Sequence, residues 1–166
     1  MLALLLACLL SPAFAADLDI EGRYEAVDAS ARDRSIDDGV EAAIADWPLF
    51  IRKVVFPKVR NKIVMPTFFD FAPGEADLTI TSDLTGAWTT DLQGTKVRVK
   101  RLDGTAVRIR RWMDGDVLRA DGTTSQGRSE FWFEWSADGS TLTVTAATHA
   151  DALPRPVQYR AVYARR

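Results

Sequence analysis

The chain of 166 residues carries 21 basic and 23 acidic side chains, one histidine and one cysteine, for a net charge of -2. This length suits one domain with a sizeable hydrophobic core. The near balance of charge argues against a general nucleic-acid-binding protein. A single cysteine cannot supply an internal disulfide framework.

The first segment, MLALLLACLLSPAFAAD, is apolar and ends in the small-x-small pattern Ala13-Phe14-Ala15. This pattern is typical of a secretory signal peptide, so we expect residues 1–16 to be removed and the protein to be periplasmic or secreted. The Leu5-Leu6-Ala7-Cys8 stretch is similar to a lipoprotein box, which leaves anchoring at Cys8 as the alternative. Residues 17–166 then form a cysteine-free domain, which excludes a thiolate metal site. No later run reaches about 18 apolar residues, so no spanning segment is predicted.

The predicted elements of the domain begin with a strand within residues 19–27. The apolar period then changes to that of a helix, and Pro48 suits an early position in a second helix. We therefore expect a helical pair over about residues 33–62, with acidic side chains in the first turn. Pro57 is expected to kink or end the second helix.

From Met65 onward, nine strand-sized segments with alternating polarity follow one another. The dipeptides between them include Pro73-Gly74, Asp103-Gly104, Asp114-Gly115, Asp121-Gly122 and Asp138-Gly139, all read as turns rather than calcium loops. An antiparallel sheet of about ten strands exposes its edges unless it closes. The predicted fold is therefore mainly β, a single up-and-down antiparallel barrel of about ten strands with a two-helix insertion after the first.

A correct hairpin register places the apolar residues of both strands on the same face of the sheet, so each predicted register can be tested against the sequence. A two-residue turn at Asp138-Gly139 places Phe133 opposite Val144 and Trp135 opposite Leu142. Both faces of this pair come out consistent, so we predict this hairpin.

The preceding hairpins carry the arginine-rich segment. A turn at Asp114-Gly115 pairs Arg111 with Leu118, and a three-residue loop at 103–105 then pairs Val97 with Arg111. Arg111 is thereby predicted to share the inner, apolar face of the barrel. Five basic side chains share the outer face: Lys96, Arg98, Lys100, Arg108 and Arg110.

The order of one strand, two short helices and nine strands resembles that of the fatty-acid-binding-protein branch of the calycin superfamily. Gly22-Arg23-Tyr24 also looks like a weakened lipocalin Gly-x-Trp. The resemblance implies a barrel whose mouth is covered by the helices and whose lumen holds a hydrophobic ligand. Members of this branch grip a ligand carboxylate with Arg-x-Tyr on the last strand. Here Arg160 and Tyr163 alternate onto opposite faces, so that motif does not match.

Arg111 is the sharpest candidate for ligand contact, because an arginine inside an apolar barrel must be paired. An anionic head group would pair with it, and Tyr159 or Tyr163 would add a hydroxyl. The alternative is that Arg111 reaches water at a strand end or pairs with an internal carboxylate. The apolar lining of the lumen is predicted to comprise Val97, Val99, Ile109, Leu118, Phe131 and Phe133.

These features lead to a first hypothesis, an exported, monomeric and non-enzymatic binding protein for a hydrophobic or amphipathic, including anionic, small molecule. A second hypothesis is a filled barrel that serves as a structural or protein-interaction module of the cell envelope. Its outer basic face or Trp132 would contact an anionic lipid or an acidic protein surface, unless that face is a solvated edge that prevents strand addition. An empty lumen distinguishes the first hypothesis from the second.

An enzyme is the third and least supported hypothesis. His149, the only histidine, has no partners in the sequence for a catalytic triad or a zinc site. Buried carboxylates such as Asp70 or Glu134 would have to act as acid and base, and no spacing supports them. We therefore predict no catalytic residue, no metal and no cofactor.

Overall fold

A computed structural model describes residues 19–166, and the predicted signal peptide and Cys8 lie outside this range. The helices are α1 (Ala29–Ala43) and α2 (Leu49–Arg60). The strands are β1 (Gly22–Ala26), β2 (Phe68–Pro73), β3 (Asp77–Ser82), β4 (Gly86–Asp91), β5 (Val97–Lys100), β6 (Ala106–Asp114), β7 (Val117–Thr124), β8 (Gly127–Trp135), β9 (Thr141–His149) and β10 (Val157–Arg165). Neither helix is long and apolar enough to cross a membrane.

The ten strands form one antiparallel sheet in the order β4-β3-β2-β1-β10-β9-β8-β7-β6-β5, which curls into a nearly closed barrel. Strand β1 pairs with both β2 and β10, so the first and last strands of the chain are neighbours. The helices lie between β1 and β2 in the chain. The predicted class, strand number and helical insertion are confirmed.

Helix α1 begins at Ala29, four residues before the predicted start, because Asp28 is its N-cap. The Asp28 carboxylate accepts a hydrogen bond from the backbone N–H of Ala31 at 3.0 Å. With the earlier start, the first turn of α1 contains no acidic residue, contrary to the prediction. Ile36 and Val40 are fully buried on the side of α1 that faces the core.

Helix α1 lies along the part of the β10 edge that the short β1 leaves uncovered. Strand β1 pairs only with residues 163–165 of β10. Further along this edge, the backbone N–H of Arg160 donates to Ser35 Oγ at 2.9 Å. At Gly39 a Cβ atom would lie 2.1 Å from the Gln158 carbonyl oxygen, so only glycine permits this approach. The helix thus replaces a strand as the partner of β10.

Of the two predicted effects of Pro57, a kink or an end of the helix, the second is absent, because α2 continues through Pro57 to Arg60. None of its side chains is fully buried. Three of its large apolar side chains are largely exposed: Leu49 at 64%, Phe50 at 72% and Val54 at 56%. Helix α2 therefore contributes to the core only through half-buried side chains, those of Val55, Phe56 and Val59.

The β8–β9 hairpin has the predicted register, with Phe133 opposite Val144 and Trp135 opposite Leu142. The β6–β7 hairpin differs by two residues, because its turn is Gly115-Asp116 and Gly115 adopts a φ of +61°. Arg111 therefore faces Ala120 rather than Leu118.

The β5–β6 hairpin is also displaced by two residues, so that Arg98 faces Arg108 and Val97 faces Ile109. An even displacement leaves every side chain on its predicted face. The prediction of a turn at Asp121-Gly122 was wrong, because both residues lie inside β7.

Aromatic side chains fill one part of the barrel interior. The ring of Phe71 packs edge-to-face against Tyr24 at 5.7 Å and Trp135 at 5.2 Å, measured between centroids. Phe69 packs in the same way against Tyr163 at 5.1 Å. These side chains and the buried face of α1 belong to one continuous core cluster.

The barrel has a seam where β4 and β5 do not pair along their length. A single bridge joins Gln93 to Trp112 on β6. The indole N–H of Trp88 on β4 also donates to the carbonyl oxygen of Lys100 on β5 at 3.0 Å. A few isolated backbone bonds, such as that from the Gly94 N–H to the Arg111 carbonyl oxygen at 2.9 Å, and the Trp88 side chain therefore connect the two sides of the seam where a continuous ladder is missing.

Candidate ligand-binding site in the barrel

Arg111 on β6 points into the barrel and is 3% exposed. Its Nη1 donates to the carbonyl oxygens of Leu78 at 3.0 Å and Trp88 at 2.9 Å. The same nitrogen lies 3.3 Å from the Thr90 hydroxyl. These three acceptors belong to β3 and β4, so Arg111 connects β6 to the strands across the seam.

The Arg111 guanidinium is a buried cation without a counter-ion among residues 19–166. No carboxylate oxygen there lies within 4.0 Å of it. The hydrogen bonds of the Arg111 guanidinium to the described residues all come from Nη1. Its Nε is buried and has no hydrogen-bond partner. Burial lowers the pKa of Arg111 to about 10, which leaves the group charged at neutral pH. A buried donor of this kind is suited to an anionic acceptor.

The two tyrosines predicted to assist Arg111 differ in their hydroxyl partners. Tyr163 Oη donates to the carbonyl oxygen of Pro66 at 2.9 Å, so its proton is already used within the protein. Tyr159 Oη lies 3.2 Å from Thr148 Oγ1, which in turn lies 3.1 Å from Ser129 Oγ. Burial raises the pKa of both tyrosines above the ordinary value, so both are neutral donors. Of the two, Tyr159 belongs to the more adaptable hydroxyl chain.

The six predicted lining side chains all face inward, but they differ in burial and in their contact with the core cluster. Leu118 and Phe133 are buried in the continuous core cluster. Ile109 is buried on the wall outside that cluster. Val97, Val99 and Phe131 face inward but remain only half-buried. The inner wall therefore has a packed part and an accessible part.

On the outer face, Lys96, Arg98, Lys100 and Arg108 are exposed and make no ion pair with the described residues. Arg110 differs from them, because its Nε donates to the Asp121 carboxylate at 2.9 Å. The predicted basic face thus keeps four unpaired cations.

The side chains considered for catalysis lie outside the barrel. Asp70 and Glu134 alternate with the inward residues of β2 and β8, so neither carboxylate is buried inside the barrel as the enzyme hypothesis would require. The His149 side chain is 46% exposed at the end of β9, with Nε2 3.8 Å from Glu130 Oε2. The described part of the chain contains no group of three or more His, Cys, Asp or Glu side chains that could hold a metal ion.

A stack of side chains on the outer face was not predicted from the sequence. The guanidinium carbon of Arg119 lies 4.8 Å from the ring centroid of Trp132 and 5.5 Å from that of Trp112. Arg110 lies 4.8 Å from Trp112. The correct β6–β7 register, which places Trp112 opposite Arg119, was the signal needed to find it.

Comparison with known proteins supports the fold by structure alone. No protein-family model and no curated protein matches the sequence. A fatty-acid-binding protein of Echinococcus granulosus superposes with a TM-score of 0.56 at 13% identity, covering 87% of this chain and 96% of that one. The brain fatty-acid-binding protein of Drosophila melanogaster gives 0.54 at 17% identity, covering 87% and 98%. The apo form of lipid binding protein 8 of Caenorhabditis elegans gives 0.54 at 12%, covering 88% and 94%.

These observations define the fold as a nearly closed antiparallel β-barrel that is similar to the barrels of these proteins. Within that fold, the chain has the ten-stranded, helix-inserted barrel of the fatty-acid-binding proteins. At these identities the likeness is one of fold, and the function must be argued from the site itself.

Proposed function

We propose that this protein is a non-enzymatic binding protein that holds a hydrophobic or amphipathic small molecule with an anionic group inside its barrel. The observation that carries the proposal is Arg111, a residue only 3% exposed, whose guanidinium has an unpartnered Nε and no carboxylate within 4.0 Å among residues 19–166. Its desolvation is costly unless an anion completes the site. Structural neighbours that are fatty-acid- and lipid-binding proteins by name support the same class of ligand.

The accessible part of the inner wall supplies the apolar contacts for such a ligand. Val97, Val99 and Phe131 face inward and retain accessible surface. Burial of an alkyl chain against them gains about 0.8 kcal/mol for each methylene group. The Arg111 guanidinium then selects the anionic end of the molecule, and the apolar wall binds the remainder.

The test compares palmitate with hexadecanol, which has the same chain length but no charge. Displacement of a fluorescent probe by each ligand is measured for the wild type and for Arg111→Leu. We expect the substitution to weaken palmitate binding by about 10- to 100-fold, since a hydrogen bond to a charged group contributes about 1.5–3 kcal/mol. Hexadecanol binding should change little.

Arg108→Leu is the matched control, because it makes the same change on the outer face of the same strand. Thr90→Val is a second control. It removes the hydroxyl that accepts from Arg111 across the seam but keeps the guanidinium, so it separates the role of Arg111 in barrel closure from the role of its charge. Equal palmitate affinity in the wild type and Arg111→Leu would refute the anchor. Failure of both ligands to bind the wild type would favour the filled-barrel interaction module instead.

We further propose that the protein is exported and acts as a monomer. The apolar leader that ends at Ala13-Phe14-Ala15 supports cleavage near residue 16. Intact-mass measurement of the protein from its host envelope should give a chain that begins near Asp17. A lipid adduct on Cys8 would instead establish the lipoprotein alternative.

A further inference from the structure

The outer wall of the barrel carries a groove of about 350 Å³ that is separate from the lumen. This volume falls within the range of small-molecule sites, about 300–1,000 Å³. It runs across strands β7 to β10, and its lining comprises Val117, Trp132, Glu134, Thr145, Ala146, Ala147 and Gln158.

Small side chains on β9 form the floor of this groove. Thr145 lies directly opposite Trp132 on β8, and Ala147 lies directly opposite Gln158 on β10. The larger side chains on the neighbouring strands stand on either side of this floor. The groove therefore exists because these outward-facing side chains of β9 are smaller than their neighbours on β8 and β10.

Trp132 is held in place by an arginine on the neighbouring strand. Arg119, on the adjacent strand β7, stacks on the indole at 4.8 Å from the ring centroid. Arg119 is fixed in turn by the Asp114 carboxylate, which accepts from its Nη1 at 3.0 Å. The guanidinium thus restrains the indole from β7, while the indole also lines the groove. An aromatic side chain fixed in this way loses little conformational entropy when a ligand stacks on it.

The polar groups of the groove are of three different kinds. Gln158 offers an amide with donors and acceptors, Glu134 a carboxylate, and Thr145 a hydroxyl. An entirely apolar occupant would desolvate these groups without pairing them. An anionic occupant would be opposed by Glu134. An occupant with a flat apolar face and several hydroxyl groups satisfies all of them.

We propose that this groove binds a neutral saccharide, with one pyranose ring stacked on Trp132 and its hydroxyl groups bonded to Glu134 and Gln158. The C–H face of a pyranose ring matches the indole, and its hydroxyls match amide and carboxylate partners. The site lies outside the barrel, so it functions whether or not a ligand occupies the lumen.

The test is isothermal titration calorimetry of the purified protein with maltotriose, cellotriose and N-acetylchitotriose. We expect at least one of them to bind with a Kd of about 1 mM or below, and Trp132→Ala to weaken it by at least about tenfold. Trp112→Ala is the matched control, because it removes the other tryptophan of the same stack without altering the groove lining. It should change the affinity by less than about twofold.

A second pair of variants separates this site from the lumen. Glu134→Gln should alter saccharide affinity and leave palmitate binding unchanged, whereas Arg111→Leu should do the reverse. The proposal is overturned if none of the three saccharides binds at up to about 10 mM. It is also overturned if Trp132→Ala and Trp112→Ala reduce binding equally, because the stack would then act only through the fold.

Discussion

At the scale of single residues, Arg111 shows how a buried cation is partly satisfied by backbone carbonyl groups. Leu78 and Trp88 supply oxygen acceptors for Nη1, and Thr90 supplies a hydroxyl. None of these carries a negative charge, so the guanidinium keeps an electrostatic preference for an anion. The residue thereby contributes to the closure of the barrel and to the proposed ligand site at once.

The three tyrosines of the protein are all buried, and burial raises the pKa of each above its ordinary value of 10.0. A group whose pKa is higher in the folded state stabilises the fold fully below its unfolded pKa. That stability is lost as the pH rises from about 10 toward the folded pKa. We therefore expect the free energy of unfolding to fall above pH 10, by up to about 1.4 kcal/mol per pH unit for each tyrosine.

Urea denaturation between pH 8 and 11, combined with phenolate absorbance, measures this effect. The lowered pKa of Arg111 acts in the opposite direction above about pH 10, so Arg111→Leu should lose stability more steeply. Phenolate formation near pH 10 in protein that remains folded would contradict the prediction.

At the scale of elements, the contact between α1 and β10 depends on one glycine. Replacement of Gly39 by alanine favours the helix by about 1 kcal/mol in propensity alone. Here the added Cβ would meet a backbone oxygen at 2.1 Å, and α1 would have to move away from β10. We expect Gly39→Ala to destabilise the protein by about 2 kcal/mol in urea denaturation, since overpacking outweighs propensity.

Glu41→Ala is the control for this prediction, because Glu41 is exposed on the same helix. Its effect should remain within about 0.5 kcal/mol. A Gly39→Ala protein as stable as the wild type would show that α1 does not approach β10 this closely.

The hairpins show which local geometry the sequence determines. The β8–β9 register could be predicted because long apolar side chains alternate on both strands around Asp138-Gly139. The β6–β7 register was two residues off, because arginines occupy both faces of β6 and an even displacement preserves the pattern. The approach of α1 to β10 could not be predicted, because it rests on a glycine that meets a residue 119 positions later.

For the candidate site, the sequence predicted only the face of the strand on which each side chain lies, from the alternation of residues along the strand. Alternation placed Arg111 on the inner face, and the structure agrees. Its acceptors on β3 and β4 were not predictable, since they meet β6 only through closure of the whole sheet. The bond from Tyr163 to Pro66 was missed for the same reason.

At the scale of the whole molecule, the seam between β4 and β5 is the weakest part of the barrel wall. Strand β5 has a ladder partner on one side only, so part of its backbone lacks strand hydrogen bonds. We expect amide hydrogens of β4 and β5 to exchange at least about tenfold faster than those of β8 and β9, through local opening. The β8–β9 hairpin is the internal reference, and uniform protection around the barrel would contradict this prediction.

The pairing of β1 with β10 also brings the two ends of the described chain together. The Arg166 backbone N–H donates to the Arg23 carbonyl at 2.9 Å, and Arg165 Nη2 donates to Asp19 Oδ2 at 2.7 Å. Because β1 runs from this end toward α1, residues 19 and 166 both emerge at the rim opposite the helices. A linker or surface tether attached at either position would therefore leave the helical end of the barrel facing away from the attachment point. A circular permutant that joins these two positions needs only a short connection.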